Sequence, residues 1–189
     1  MVIRDIRIGF TAGVGPVSWA IRRLDRAYLD GGRTAPSRIN HVLLRVIYAA
    51  GPDLIFQAHG GKGVGVSFTA KLCRAIHAGT VKRYAEKSLE LDHAARLRVE
   101  ARMTQIDGCG YDYWRIALYY MAFRFGYRRH GDGVDHRYTC NEAVCMALDG
   151  LIPWIRDDGS QTPERLFAAA FKCPSPVYFE GRPAIGMGL

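Results

Sequence analysis

Tyr138-Thr139-Cys140-Asn141-Glu142-Ala143-Val144-Cys145-Met146-Ala147-Leu148 is the stretch on which the fold of this chain turns. Thr139 and Glu142 make an S/T-x-x-E capping box, so Thr139 is expected as the N-cap and Cys140 as the first residue of an apolar helix. A helix N-terminus favours an anion by about 0.3–1 kcal/mol. A thiol there, or beside an imidazolium, has its pKa drawn from about 8.5 down to roughly 3.5–7.5, and the thiolate is the nucleophilic form. The same position also suits a small apolar core residue, because free cysteine is among the most buried residue types. Spacing alone leaves both roles open.

Working outward, the run Asn40-His41-Val42-Leu43-Leu44-Arg45-Val46-Ile47-Tyr48 reads as a strand with a histidine at its head. An imidazole on a strand and a thiol at a helix start are the two halves of a cysteine-nucleophile site. Ala49-Ala50-Gly51-Pro52-Asp53 is a turn, and Leu54-Ile55-Phe56-Gln57-Ala58 returns as the second strand of a hairpin. His41, Gln57 and His59 are all odd-numbered, so a regular hairpin with an even pairing sum points them to one face. If residue 41 opposes residue 57, Gln57 orients the imidazole. If it opposes residue 59, His59 takes that place and Gln57 lies diagonal to His41. The register stays open.

The rest of the chain reads as a strand near 2–10, then a helix opened by Pro16 with Val17, Ala20, Ile21, Leu24 and Tyr28 at helical spacing. Gly60-Gly61-Lys62-Gly63 lacks the GK[ST] of a P-loop and reads as a loop into strand 64–68. A helix over 69–78, a strand over 80–85, and helices near 91–106 and 111–126 follow. A last helix runs from Pro163 to Phe171, with Thr162 as N-cap. The expected architecture is α+β: one domain over residues 1–189, a small antiparallel sheet packed against helices.

Composition narrows the class. With 49% apolar and 23% charged residues this is an ordinary globular chain, and it holds no apolar run of about 18 residues. Met1 to Ile8 alternates like a strand and lacks a signal peptide's apolar centre, so a cytoplasmic location is the default expectation. Cysteines 73, 109, 140, 145 and 173 have no CxxC pairing, which points away from zinc and from a disulfide framework. Cys145 follows Cys140 by about 140° around a helix, so it is expected in the core. The net charge of +8 suits nucleic acid, anionic lipid or an anionic wall polymer. The basic residues are dispersed, with a modest cluster at Arg124, Arg128 and Arg129, and no nucleic-acid motif accompanies them. His77 and His93 lie in helical patterns and read as solvated or satisfied rather than catalytic. The run Arg129-His130-Gly131-Asp132-Gly133-Val134-Asp135-His136 has metal-binding residue types, yet its glycines read as a loop, and no metal site is expected. The aromatic run Tyr111, Tyr113, Trp114, Tyr119, Tyr120, Phe123, Phe125 and Tyr127 suits a core helix or an acyl-chain groove.

Asn40-His41-Val42 on a strand, a return strand ending Phe56-Gln57-Ala58, Tyr111-Asp112-Tyr113, Tyr138-Thr139-Cys140-Asn141-Glu142-Ala143-Val144 and Thr162-Pro163 occur in that order. The set resembles the circularly permuted papain-like hydrolases of the NlpC-type cysteine peptidase superfamily, in the YiiX-like branch, where histidine precedes cysteine, the reverse of papain. The resemblance implies Cys140 as nucleophile, His41 as general base and Gln57 at the position that more often holds glutamate. A glutamine can orient an imidazole through its side-chain carbonyl without an acid's charge. Leu43 stands where glycine often follows His-Val, and Asn141 replaces the usual serine after the cysteine. Tyr111 and Asn141 are the candidates for substrate or oxyanion contact. No cofactor is implied. The implied chemistry is hydrolysis of amide or peptide bonds through an acyl-enzyme, with peptidoglycan stem peptides the first example. A wall enzyme without a signal peptide would need delivery by a phage particle, a lysis system or a secretion apparatus. Lipid deacylation or acyl transfer, as in the similar lecithin:retinol acyltransferase-like branch, is the rival within chemistry. A binding protein on a decayed hydrolase scaffold is the rival outside it.

Overall fold

Alternation along the first strand sets up the core. The computed structural model describes residues 1–24, 39–113, 116, 136–156, 161–172 and 177–178. Strand β1 (Ile3–Gly13) sends Ile6, Ile8 and Phe10 to one face, where all are fully buried. β2 (His41–Tyr48) pairs antiparallel with it and adds Val42, Leu44 and Val46; β3 (Leu54–His59) adds Phe56 and Ala58. β4 (Gly63–Phe68) closes one edge, and β5 (Val81–Ser88) with the two-residue β8 (Val177–Tyr178) the other. The order is β4-β3-β2-β1-β5-β8, with antiparallel pairing throughout.

Against the apolar face lie α3 (His93–Ile106), α4 (Cys140–Leu148) and α5 (Pro163–Lys172), which contribute Val99, Met103, Val144, Leu148, Leu166 and Ala170. Phe10 meets the Phe167 ring edge-on at 5.3 Å. Full burial of a side chain of this kind contributes about 1.5–3 kcal/mol. Local chemistry starts these helices as the sequence requires. Asp92 Oδ1 accepts from the Ala95 N–H at 2.7 Å, and Thr162 Oγ1 accepts from the Arg165 N–H at 3.3 Å with Pro163 in the first turn. Two further helices, α1 (Pro16–Leu24) and α2 (Thr69–His77), contact β1 and the β4 and β5 strands respectively.

The opposite face of the sheet is polar at its centre. Glu86 is 0% exposed and receives Arg7 Nη1 at 2.5 Å, Arg45 Nη1 at 3.2 Å and the Tyr84 hydroxyl at 2.5 Å. Arg45 also reaches Asp53 at 2.7 Å, and Arg7 reaches Asp5 at 2.8 Å. Gly9 leaves room beside this network: a Cβ there would lie 2.5 Å from Leu43 Cδ1 and would force that buried side chain to shift. Buried Lys87 faces the other way and donates to the Ala170 carbonyl at 2.5 Å, near the negative end of the α5 dipole.

Several expectations change. β5 runs to Ser88 instead of residue 85, because Glu86 and Lys87, which break the apolar pattern, find buried partners. Gly110–Tyr111 is a two-residue strand, β6, paired in parallel with β7 (Arg137–Tyr138), where a helix was expected to begin. Tyr113 and Ile116 are helical; the rest of the 114–127 aromatic run lies outside the described residues. In α1, Ile21 is buried but Val17 is 56% exposed, so the helix buries less of its apolar face than its spacing predicts. Tyr28, Arg124, Arg128, Arg129 and Cys173 also lie outside the described residues. No helix among the described residues is long and apolar enough to cross a membrane.

Candidate active site

Cys140 is the first residue of α4. The Thr139–Glu142 capping box is formed: the Thr139 N–H donates to Glu142 Oε2 at 2.9 Å, and Thr139 is extended at φ −79°, ψ 168°. The helix packs across β2 and β3 with Ala143, Val144 and Ala147 turned inward. Cys140 itself is 4% exposed. Both roles open to this residue therefore meet in one place, a buried thiol at a capped helix start.

β6 and β7 bring Tyr111 to the same end of α4. The Asp112 N–H donates to the Tyr138 carbonyl at 3.3 Å, two residues before Cys140. Burial pushes the Tyr111 phenol pKa well above its ordinary value, and the neighbouring Cys140, Tyr113, Glu142 and Asp112 push it further in the same direction. Tyr111 is thus a neutral hydroxyl with a proton to donate. Its ring lies 4.9 Å from that of Tyr113, whose hydroxyl occupies the space a Cβ at Gly60 would need.

On the strand side, the β2–β3 ladder pairs Val46 with Leu54, Arg45 with Ile55 and Leu44 with Phe56. Continued, that register sets His41 opposite His59 and leaves Gln57 diagonal. The imidazole nevertheless takes Gln57: Nε2 of His41 and Oε1 of Gln57 are 2.8 Å apart. His59 is exposed, its Nδ1 lies 2.8 Å from the Gly60 carbonyl, and its ring centroid is 6.3 Å from that of His41. His59 is therefore not the partner of His41, although the register that would favour it is the one present. A diagonal neighbour is within reach of a long side chain. The ladder also stops at Leu44–Phe56, while β2 stays paired with β1 as far as His41 and β3 with β4 as far as His59. The two strands part at the end where His41 and Gln57 sit.

Burial lowers the His41 pKa, and the bond to Gln57 offsets this in part. The neutral imidazole is the favoured form. Because an amide oxygen only accepts, Nε2 carries the proton and the basic lone pair is on Nδ1.

Two residues that the sequence reading missed, Gln161 and Glu164, hold the backbone near both proposed halves. The Ile39 N–H donates to Glu164 Oε2 at 3.3 Å, and Asn40 Oδ1 accepts from the Gly13 N–H at 2.9 Å. Asn141 Nδ2 donates to the Gln161 carbonyl at 2.6 Å, and its Oδ1 accepts from the Thr139 hydroxyl at 3.0 Å. Asn141, next to Cys140, and Ile39, two residues before His41, are thereby anchored to the same stretch, 161–164. Asn141, expected among the substrate contacts, has both ends of its amide engaged in this anchoring. Only the Thr162-Pro163 helix start beside them signalled the region. Gln161 further accepts from buried Cys145 Sγ at 3.2 Å and donates to the Trp154 carbonyl at 2.8 Å.

Among the described residues no group of three or more His, Cys, Asp or Glu could hold a metal ion. His77 and His93 are exposed, as their helical spacing implies, and of the 129–136 run only His136 is described. The chain matches no family model, and neither a curated protein nor a solved structure matches it significantly.

Proposed function

We propose that this chain is a cysteine hydrolase of permuted papain-like architecture that cleaves amide or peptide bonds through an acyl-enzyme. The observation that carries the reading is the His41 Nε2–Gln57 Oε1 bond, because it places the imidazole's basic lone pair on the opposite nitrogen. Nδ1 takes the proton from Cys140 Sγ, and the thiolate attacks the substrate carbonyl. Backbone N–H groups at the start of α4 and the Tyr111 hydroxyl receive the oxyanion. The imidazolium returns its proton to the leaving amine. Water, deprotonated by His41, then releases the acid and restores the thiol.

Strand alternation sends Val42 and Leu44 under α4 and turns His41 and Gln57 to the other face. The proposed dyad therefore has to form at the end of the sheet, where β2 and β3 have parted. A short bifunctional alkylator, dibromoacetone, is expected to bridge Cys140 and His41, detected as a cross-linked peptide pair by mass spectrometry. Monoalkylated Cys140 without that pair would break the proposed dyad.

Gln57 acts by orientation. Gln57→Leu is expected to lower kcat/KM by about 10²-fold, the low end of what a positioned general base contributes. Gln57→Glu is expected to retain activity and raise the acid limb of the pH profile, since a carboxylate favours imidazolium. In the wild type that limb should fall below about pH 6.5, because the free-enzyme His41 pKa is lowered from the ordinary value. Stability follows the same sign. A histidine held neutral by folding contributes fully above its unfolded pKa, and that contribution is lost as pH falls from about 6.5 through the folded value. His41→Gln should flatten this part of the stability–pH curve.

For the substrate, an amide is the first choice, and a wall polymer's anionic character suits a chain of net charge +8. Incubation with peptide amides, peptidoglycan fragments and micellar fatty acyl esters, followed by intact-mass analysis, decides it. An adduct on Cys140 from amide substrates supports the peptidase reading. Acylation by lipid esters alone would turn it to the acyltransferase-like alternative, and a Cys140 no more reactive at about pH 6 than Cys73 or Cys109 would mark a decayed binding scaffold.

A further inference from the structure

Where β1 runs into α1, the surface turns apolar. Val14, Val17 and Trp19 fall within six residues and are 46%, 56% and 56% exposed. Val17 and Trp19 leave α1 on different sides, but helical side chains lean towards the N-terminus, so both surround the first turn beside Val14. A single exposed apolar residue is ordinary on a protein surface; a group of them marks a contact.

The neighbours at this end are cations. Arg22 Nε donates to the Ser18 carbonyl at 3.3 Å, which lays the guanidinium against the same first turn. Ser18 Oγ and the Thr80 carbonyl lie 2.8 and 3.8 Å from where a Cβ of Gly13 would sit, so the turn between α2 and β5 borders α1. β5 opens there: Val81 pairs with Gly13 and Arg83 with Ala12, and Lys82 and Arg83 are both exposed. Residues 6–24 and 54–85 contain no Asp or Glu. Among the described residues none of Arg22, Lys82 and Arg83 is ion-paired. The Gly13 N–H also donates to Asn40 Oδ1 at 2.9 Å, so this is the end of the sheet that carries His41.

We propose that this end of the molecule, with Val14, Val17 and Trp19 at its centre and Arg22, Lys82 and Arg83 around them, docks on an anionic lipid bilayer. A bilayer surface uses both kinds of group at once. Tryptophan settles at the headgroup level and the valines reach the acyl boundary, while the cations meet lipid phosphates and carboxylates. A polyanion in water would engage the cations alone and leave the apolar side chains wet. A second copy would cover the apolar side chains, yet a two-fold contact brings the same patch of each chain together, cation against cation, with no acid between them. Docking is independent of the hydrolase reading; if that reading holds, it keeps the His41 end of the sheet at the membrane surface.

The test uses the full chain and vesicles of phosphatidylcholine, with or without phosphatidylserine. Sedimentation should show binding to the mixed vesicles well above that to phosphatidylcholine alone, and added salt should weaken it. Lys82→Gln/Arg83→Gln should weaken binding by roughly 30-fold, about fivefold per cation. Val17→Ser/Trp19→Ser should weaken it by at least about tenfold. Val66→Ser/Phe68→Ser, which strips two exposed apolar side chains from the edge strand β4, should leave it unchanged. Every substituted side chain is exposed, so circular dichroism should show the native fold in each variant. Absence of binding to the mixed vesicles, or binding that either the α1 or the β5 variant leaves unaltered, would overturn the proposal. So would equal weakening by the β4 variant, which would mean general stickiness. Self-association that Val17→Ser/Trp19→Ser abolishes, with vesicle binding unaltered, would assign the face to a second copy instead.

Discussion

Cys140→Ala is expected to remove hydrolysis almost completely, by about 10⁴- to 10⁶-fold in kcat, and to abolish any covalent acyl adduct. The protein should still fold. The α4 capping box is made by Thr139 and Glu142 without the sulfur, and alanine is a good helix former. His41→Ala should cost nearly as much, and the double variant little more than either alone, because nucleophile and base act as a unit. Cys145→Ala is the control. That thiol is buried and donates to Gln161, so its loss should lower stability modestly and leave turnover per folded molecule intact. Activity that survives in Cys140→Ala, measured by product release under conditions where circular dichroism shows a native fold, would remove the proposed mechanism.

The largest effect on stability is expected at Glu86→Ala. The carboxylate is wholly buried between Arg7, Arg45 and the Tyr84 hydroxyl. Removing one member of a buried ionic group costs about 3–5 kcal/mol; Arg7 and Arg45 keep Asp5 and Asp53 but lose the carboxylate that lies between them. For a chain of this size each kcal/mol moves Tm by about 2–4 °C, so the midpoint should fall by roughly 6–20 °C. Replacing the group wholesale by Arg7→Met, Arg45→Leu and Glu86→Leu should recover much of that loss, because the penalty arises from unpaired buried charge. A shift of under about 1 kcal/mol in Glu86→Ala, by denaturant titration, would show that the network contributes little to holding β1, β2 and β5 together.

Both expectations rest on features that differ in how local they are. The start of α4 is readable from residues three apart, since a capping box is an interaction within one helical turn. The β2–β3 hairpin and the Thr162 cap of α5 are local in the same sense, and the alternation of β1 and β2 announces which side chains form the core. By contrast, nothing near Glu86 or Lys87 says that they will be buried; apart from Tyr84 on the same strand, their partners come from β1, β2 and the end of α5. Residues 110–111 leave the helical pattern because β7, far along the chain, offers them backbone partners.

The candidate site divides along the same line. Residue types and spacing offered Cys140 and His41 as a thiol and an imidazole with Gln57 or His59 as the acceptor, and only the resemblance favoured Gln57. Parity was enough to put His41, Gln57 and His59 on one face. Which acceptor His41 takes was settled by the opening of β2 from β3 beyond Leu44 and Phe56, which lets the diagonal glutamine close on the ring while His59 turns to Gly60. The anchoring of Asn141 to Gln161 and of Ile39 to Glu164 likewise belongs to the folded chain alone. Capping and alternation are set within a few residues and survive as sequence pattern. Strand register and cross-chain hydrogen bonds are chosen by the free energy of the whole packed core, and so exist only once the chain has folded.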